Sequence, residues 1–216
     1  MEKKTLVIVG AGKGMGNHIA KEFARHHFRV ILMARRQEAL DSYVAEFQTL
    51  GIECSGIVAD ASDPASLTAA FAAVQESFGV VDVMVYNAAD LTPGSSATLS
   101  NEEVMQHYQV DVASALHCAQ LALKSQAAAG GGAILFTSGG FALYPQAEYT
   151  CLSMGKAALR ALAYAMHNEW KDRHIYVGVV TIMGNVAPAT HYDPALIAQA
   201  YWKLYEQGSD VEIVYE

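Results

Sequence analysis

The chain has 216 residues, 52% apolar and 17% charged, with 14 basic against 22 acidic side chains and a net charge of −8. That length corresponds to one domain, 1–216, which buries about 70% of its unfolded surface and needs no disulfide or metal staple. The composition excludes a disordered chain, and the negative balance argues against nucleic-acid or anionic-membrane binding, which need positive surface.

Near the start, Leu6-Val7-Ile8-Val9 is too short for the apolar core of a signal peptide, and a glycine follows at once. No apolar run reaches the roughly 18 residues of a membrane-spanning helix. Cys54, Cys118 and Cys151 are odd in number and scattered, so they read as reduced thiols and the expected compartment is the cytoplasm.

In chain order, β-branched runs at 5–9, 29–33, 53–58, 81–86, 133–137, 176–181 and 211–215 alternate with helical patterns near 15–27, 36–50, 64–78, 100–128, 151–172 and 194–206. Inner runs such as LVIVG and VDVMVY are apolar on both faces, the pattern of a parallel sheet covered on both sides. The expected fold is therefore α/β: a Rossmann-type doubly wound parallel sheet of about seven strands with helices on both faces. The stretch 127–132 (AAAGGG) reads as a helix stop before a strand. The alanine-rich helices 100–128 and 151–172 keep a second apolar face, which predicts a homodimer or homotetramer.

The first strand ends in Val9-Gly10-Ala11-Gly12-Lys13-Gly14-Met15-Gly16 and an amphipathic helix follows. Glycines allow a tight turn and close approach to a pyrophosphate, and the helix start offers free N–H groups and a positive dipole end. The second strand ends Met33-Ala34-Arg35-Arg36, without the acidic residue that usually holds a ribose 2′-OH. Arg35 and Lys13 instead suit a 2′-phosphate, so the expected cofactor is NADP(H).

The spacing Gly10, Gly14, Gly16 resembles the short-chain dehydrogenase/reductase family. Further matches follow in order: Asp60 with Ala61 after the third strand, Asn87-Ala88-Ala89 after the fourth, Ser138 ending the fifth, and Lys156 within Gly155-Lys156-Ala157-Ala158-Leu159. The resemblance extends to about residue 190. It implies an NADP(H)-dependent oxidoreductase acting on a small carbonyl or alcohol. Asp60 and Ala61 would face the adenine, Asn87 and Ala88 the cofactor, and Gly184 and Val186 the carboxamide. Ser138 would bind the carbonyl oxygen, and Lys156 would hold the nicotinamide ribose.

Two of the four catalytic positions depart from the family pattern. Four residues before Lys156, where the family has its proton-donating tyrosine, stands Leu152. Where the family has an asparagine stands Asp111. Tyr149 is the candidate replacement acid, but on a continuous helix it lies two turns, about 10.5 Å, from Lys156. It reaches the site only if the helix begins late and the loop folds back. The alternative reading is an NADP(H)-binding protein without redox turnover, a sensor or partner module. The eight histidines show no metal-ligand spacing, and no metal is expected. The segment after the sixth strand is short compared with the family, which predicts a more open substrate pocket with a reduced lid.

Overall fold

The computed structural model describes residues 3–216. Seven strands, β1 (Thr5–Val9), β2 (Arg29–Ala34), β3 (Cys54–Val58), β4 (Val83–Tyr86), β5 (Gly132–Gly139), β6 (Ile175–Ile182) and β7 (Glu212–Tyr215), form one all-parallel sheet in the order β3-β2-β1-β4-β5-β6-β7. The helices are α1 (Met15–Arg25), α2 (Gln37–Thr49), α3 (Pro64–Phe78), α4 (Asn101–Tyr108), α5 (Ser114–Ala129), α6 (Thr150–Trp170) and α7 (Pro194–Gln207). This is the doubly wound α/β fold expected from the alternating pattern. Among the described residues no helix is long and apolar enough to cross a membrane.

Strand pleating explains why the inner strands are apolar throughout. In β1, Val7 and Val9 enter a core with Leu67 and Phe71 of α3, Ala115 and Ala119 of α5, and Leu159 and Ala163 of α6. Leu6 and Ile8 enter the opposite core with Ile19 and Phe23 of α1, Phe47 of α2, and Ile197 and Tyr201 of α7. Small residues on α5 and α6 let those helices lie close to the sheet. Cys54 and Cys118 are buried in these two cores as free thiols, and burial pushes both up to about 12.

One predicted helix is divided. The stretch read as 100–128 is α4, a wider π turn at Gln109–Ala113, and α5. A π turn inserts one extra residue, so the side chains after it are rotated relative to those before. That places Asp111 and Val112 among the buried residues. The glycine stop is as read: α5 ends at Ala129, and Gly130 takes the left-handed conformation at φ +83°.

The chain crosses from β3, at one edge, back over β1 to β4. The carboxyl ends of β1 and β4 therefore diverge into helices on opposite sides, opening a crevice. The turn after β1 is fixed there by main-chain bonds. Gly10 N and Ala11 N donate to Met33 O (3.0 and 2.9 Å), and Asn87 N and Ala88 N donate to Val9 O (2.8 and 3.1 Å). Gly10 has φ +89°, and a Cβ there would lie 2.5 Å from Ala88 N. At Gly16, a Cβ would lie 2.8 Å from Gly10 O. These two glycines are demanded by the turn itself.

At the far edge, β7 is tied to α6 by Glu212. Its carboxylate accepts from Arg160 Nε (2.8 Å) and Nη2 (2.6 Å), Tyr164 Oη (2.8 Å) and Thr181 Oγ1 (2.5 Å). Burial alone would push this carboxyl up, but the Arg160, Thr181 and Tyr164 hydrogen bonds hold it below the ordinary glutamate value.

Two outcomes follow for stability. Gly10→Ala should destabilise by about 2–4 kcal/mol, combining positive-φ strain with a main-chain clash, read as a lower midpoint in urea unfolding. Glu212→Gln should cost about 1–2 kcal/mol near neutral pH, a modest figure because Arg160 is partly solvated. A depressed carboxyl contributes stability above its unfolded value and loses it as pH falls through the folded one. The gap between wild type and variant should therefore narrow in acid.

Candidate active site

Two cavities open along the carboxyl edge of the sheet. The larger, about 1030 Å³, is walled by Gly10 and Ala11, by Ala34-Arg35-Arg36 after β2, by Ala59–Ser62 after β3, and by Asn87–Pro93 after β4. The smaller, about 460 Å³, is walled by Met15, by Thr137 to Phe141 after β5, by Tyr144, Leu152 and Lys156, and by Ile182 to Val186 after β6. Asn87, Ala89 and Leu91 line both.

The glycine turn fits a pyrophosphate. A Cβ on Gly12 or Gly14 would meet nothing within 4 Å, so these two face open space where a ligand can approach the main chain. Gly14 caps α1 with no side-chain hydrogen bond, which leaves the N–H groups of the helix start without a side-chain cap. Asn87 has a structural duty: its Nδ2 donates to Gly10 O at 2.9 Å. Met15 points to the smaller cavity rather than to the nucleotide end.

Arg35 and Arg36 are exposed on the wall of the larger cavity. Lys13, in the glycine turn, is also exposed but is not among the residues that wall this cavity. No ion pair to Lys13, Arg35 or Arg36 occurs among the described residues. Asp60 and Ala61 line the groove, but Asp60 Oδ1 is already engaged by Ser62 N and Ser62 Oγ, both at 2.8 Å. The Ser62 N–H is the main cause that holds the Asp60 carboxyl below the ordinary aspartate range, with the Arg35 charge adding to it.

In the smaller cavity, β5 carries Ser138 to its rim and α6 carries Lys156 beside it. Ser138 Oγ donates to Lys156 O at 3.3 Å, a long bond that leaves the hydroxyl easily turned toward a ligand. Lys156 Nζ donates to Thr137 O at 2.8 Å. Thr137 Oγ1 in turn accepts from the buried Tyr201 hydroxyl at 2.8 Å. Burial pushes Lys156 down from the ordinary lysine value, and the Asp111 charge opposes that shift.

Tyr149 is placed differently from what a proton donor there needs. It is the residue before α6, with non-helical φ −129° and ψ 47°, and its ring stacks on Phe141 at 5.3 Å. It does not line the cavity, whereas Leu152 and the exposed Tyr144 do. Asp111 is 1% exposed and stands behind the cavity wall. Gly184 lines the smaller cavity, and its missing side chain makes room for the Tyr192 ring, which a Cβ would meet at 2.2 Å. Val186 is half-exposed on the same wall. Thr137, Asn185, Asp90 and His107 stand near the two cavities without any signal in the sequence that marks them. Only Gly155, immediately before Lys156, carried a hint, since it admits the Asp111 carboxylate against α6.

The comparisons agree with this architecture. Residues 4–192 match the family model described as short chain dehydrogenase. A 3alpha-hydroxysteroid dehydrogenase of Mediterraneibacter gnavus is 29% identical over 182 residues, 83% of this chain and 73% of that protein. A crystal structure of a short-chain dehydrogenase from Rhodopseudomonas palustris superposes with a TM-score of 0.89 at 25% identity, covering 100% of this chain and 99% of that one. A metagenomic short-chain oxidoreductase in complex with NADP superposes at 0.88 and 25% identity, covering 98% and 95%. With Ser138 and Lys156 side by side at the carboxyl edge of a doubly wound sheet, the chain belongs to the short-chain dehydrogenase family of oxidoreductases.

Proposed function

We propose that the protein is an NADP(H)-dependent oxidoreductase that interconverts a small carbonyl compound and its alcohol. The observation that carries this reading is the shared wall at Asn87, Ala89 and Leu91, which joins a nucleotide-sized groove to a pocket holding Ser138 and Lys156. The cofactor, when bound, supplies or accepts the hydride. Gly12, Gly14 and the uncapped start of α1 would hold the pyrophosphate, and Arg35, unpaired on the groove, the 2′-phosphate. Lys13 would assist from the turn tip. The main chain around Gly184 and Val186 stands beside the cavity where the carboxamide would lie.

Ser138 Oγ would donate to the carbonyl oxygen and stabilise the charge that develops there. Phe141, Tyr144, Leu152, Met183 and Val186 line the pocket, and among the described residues Lys156 is its only cationic side chain. That lining suits a neutral, largely apolar substrate, in keeping with the hydroxysteroid for which the Mediterraneibacter gnavus relative is named. Exposed Met105, Tyr108, Leu116 and Met154 on α4, α5 and α6 support a homodimer or homotetramer. The free buried thiols support a reducing, cytoplasmic setting.

Leu152 supports a second reading, in which NADP(H) binds without turnover, because carbon stands where a phenol would give its proton. Calorimetry should show NADPH binding tighter than NADH by at least about tenfold, with Arg35→Ala bringing the two within about threefold of each other. Equal affinities in the wild type would sink the NADP preference. Gly12→Ala should fold normally but bind NADPH about tenfold more weakly, because its new methyl meets only the ligand. NADPH binding without its oxidation across a broad carbonyl panel would favour the second reading.

A further inference from the structure

The segment between β6 and α7 forms one wall of the smaller cavity, through Met183, Gly184, Asn185 and Val186. A residue outside that cavity holds both ends of this segment. Tyr215 is the last residue of β7 and is not among those that wall the cavity. At the near end its carbonyl oxygen accepts the Met183 N–H at 3.0 Å. At the far end its hydroxyl donates to His191 O at 3.1 Å. Its ring lies 5.3 Å from the His191 ring and 6.0 Å from the Tyr192 ring. The stretch 184–190 is therefore a closed loop clasped at its base by one tyrosine.

The loop is also bonded internally. Ala187 N donates to Tyr192 O at 3.1 Å, and Thr190 Oγ1 donates to Ala187 O at 2.8 Å. Ala189 has φ +58°, a left-handed conformation that a non-glycine residue keeps only when its surroundings enforce it. Its N–H donates to Asp193 Oδ2 at 2.7 Å, while Asp193 Oδ1 accepts Ala195 N at 2.9 Å and caps α7. The loop is thus tied to the helix start as well as to β7. Beneath it, the Tyr192 ring fills the space that Gly184 leaves, and Tyr192 and Tyr215 both pack on the core that holds Ile197 and Tyr201.

We propose that Tyr215 is a positioning residue for the nicotinamide end of the pocket, holding the main chain of Gly184 to Val186 as a fixed wall before any ligand arrives. This rests on the oxidoreductase reading above, in which that main chain meets the carboxamide. A wall already in place costs no ordering when the cofactor binds, so the clasp contributes affinity without touching the ligand. It also makes the pocket of about 460 Å³ select its substrate by fit rather than by closing over it. The hydroxyl bond to His191 O and the ring packing are separable parts of the clasp, one lost in Tyr215→Phe and both in Tyr215→Ala.

Two ligands separate this role from a general contribution to stability: NADPH, and 2′-phospho-ADP-ribose, which keeps the pyrophosphate and the 2′-phosphate but has no nicotinamide. By calorimetry, Tyr215→Ala should weaken NADPH about 5–20-fold and leave 2′-phospho-ADP-ribose within about twofold of wild type. Tyr215→Phe, which keeps the ring, should recover most of the loss and bind NADPH within about threefold of wild type. Hydrogen exchange reads the wall directly. In the ligand-free wild type the Ala187 amide should be protected, and NADPH should change its rate by less than about threefold, whereas in ligand-free Tyr215→Phe it should exchange about tenfold faster. An Ala187 amide that exchanges freely until NADPH is added marks a closing lid and overturns the fixed wall. Equal weakening of both ligands in Tyr215→Ala, or NADPH affinity unchanged in both variants, overturns the positioning role. These outcomes leave the oxidoreductase reading standing, whereas a wild type that binds neither ligand overturns that reading and the role of Tyr215 with it.

Discussion

The hydrogen bond from Asn87 Nδ2 to Gly10 O joins the end of β4 to the turn after β1. This is the place where the sheet reverses its winding, and both cavities depend on it. Without that bond and the neighbouring main-chain bonds from Asn87 and Ala88 to Val9 O, the two strand ends would be free to splay. Gly10 must then adopt a left-handed conformation and lie against Ala88, because the amide leaves no space for a methyl group. Gly12 and Gly14 meet no such demand, so their openness is left for whatever approaches the helix start. One short contact thereby separates glycines that hold the fold from glycines that leave room for a ligand.

The same division runs through the pocket. Ser138 and Lys156 are linked to each other and to Thr137, and Thr137 is linked to Tyr201 of α7. Helices from opposite faces of the sheet therefore meet at one β5 threonine, its carbonyl taking the lysine and its hydroxyl taking the tyrosine. A buried lysine is expensive to desolvate unless its N–H groups are matched. Thr137 O supplies one match at 2.8 Å, and the Asp111 charge opposes the downward push of burial without bonding to the lysine.

Much of this was legible because its signals are local. Strands such as β1 announce themselves through apolar side chains on both faces, and glycine turns through spacing. What escaped depends on geometry that no window of sequence contains. The π turn at Gln109–Ala113 interrupts a pattern that otherwise reads as one helix, and it is that extra residue which buries Asp111. Counting along a continuous helix puts Tyr149 two turns from Lys156, yet its backbone is not helical, so the count does not apply. Strands β5 and β6 run past their β-branched cores because their ends pair in register, Ser138 with Thr181 and Gly139 with Ile182, whatever their propensities.

The buried thiols have a use that concerns measurement rather than chemistry. Only a thiolate reacts readily with alkylating reagents, and burial holds Cys54 and Cys118 almost entirely as thiols at neutral pH. They lie in different cores, on opposite faces of the sheet. Each therefore serves as a built-in reporter of the layer that covers it. The rate at which a thiol reagent labels one cysteine relative to the other would reveal whether the two helical layers open together or separately, without any added probe.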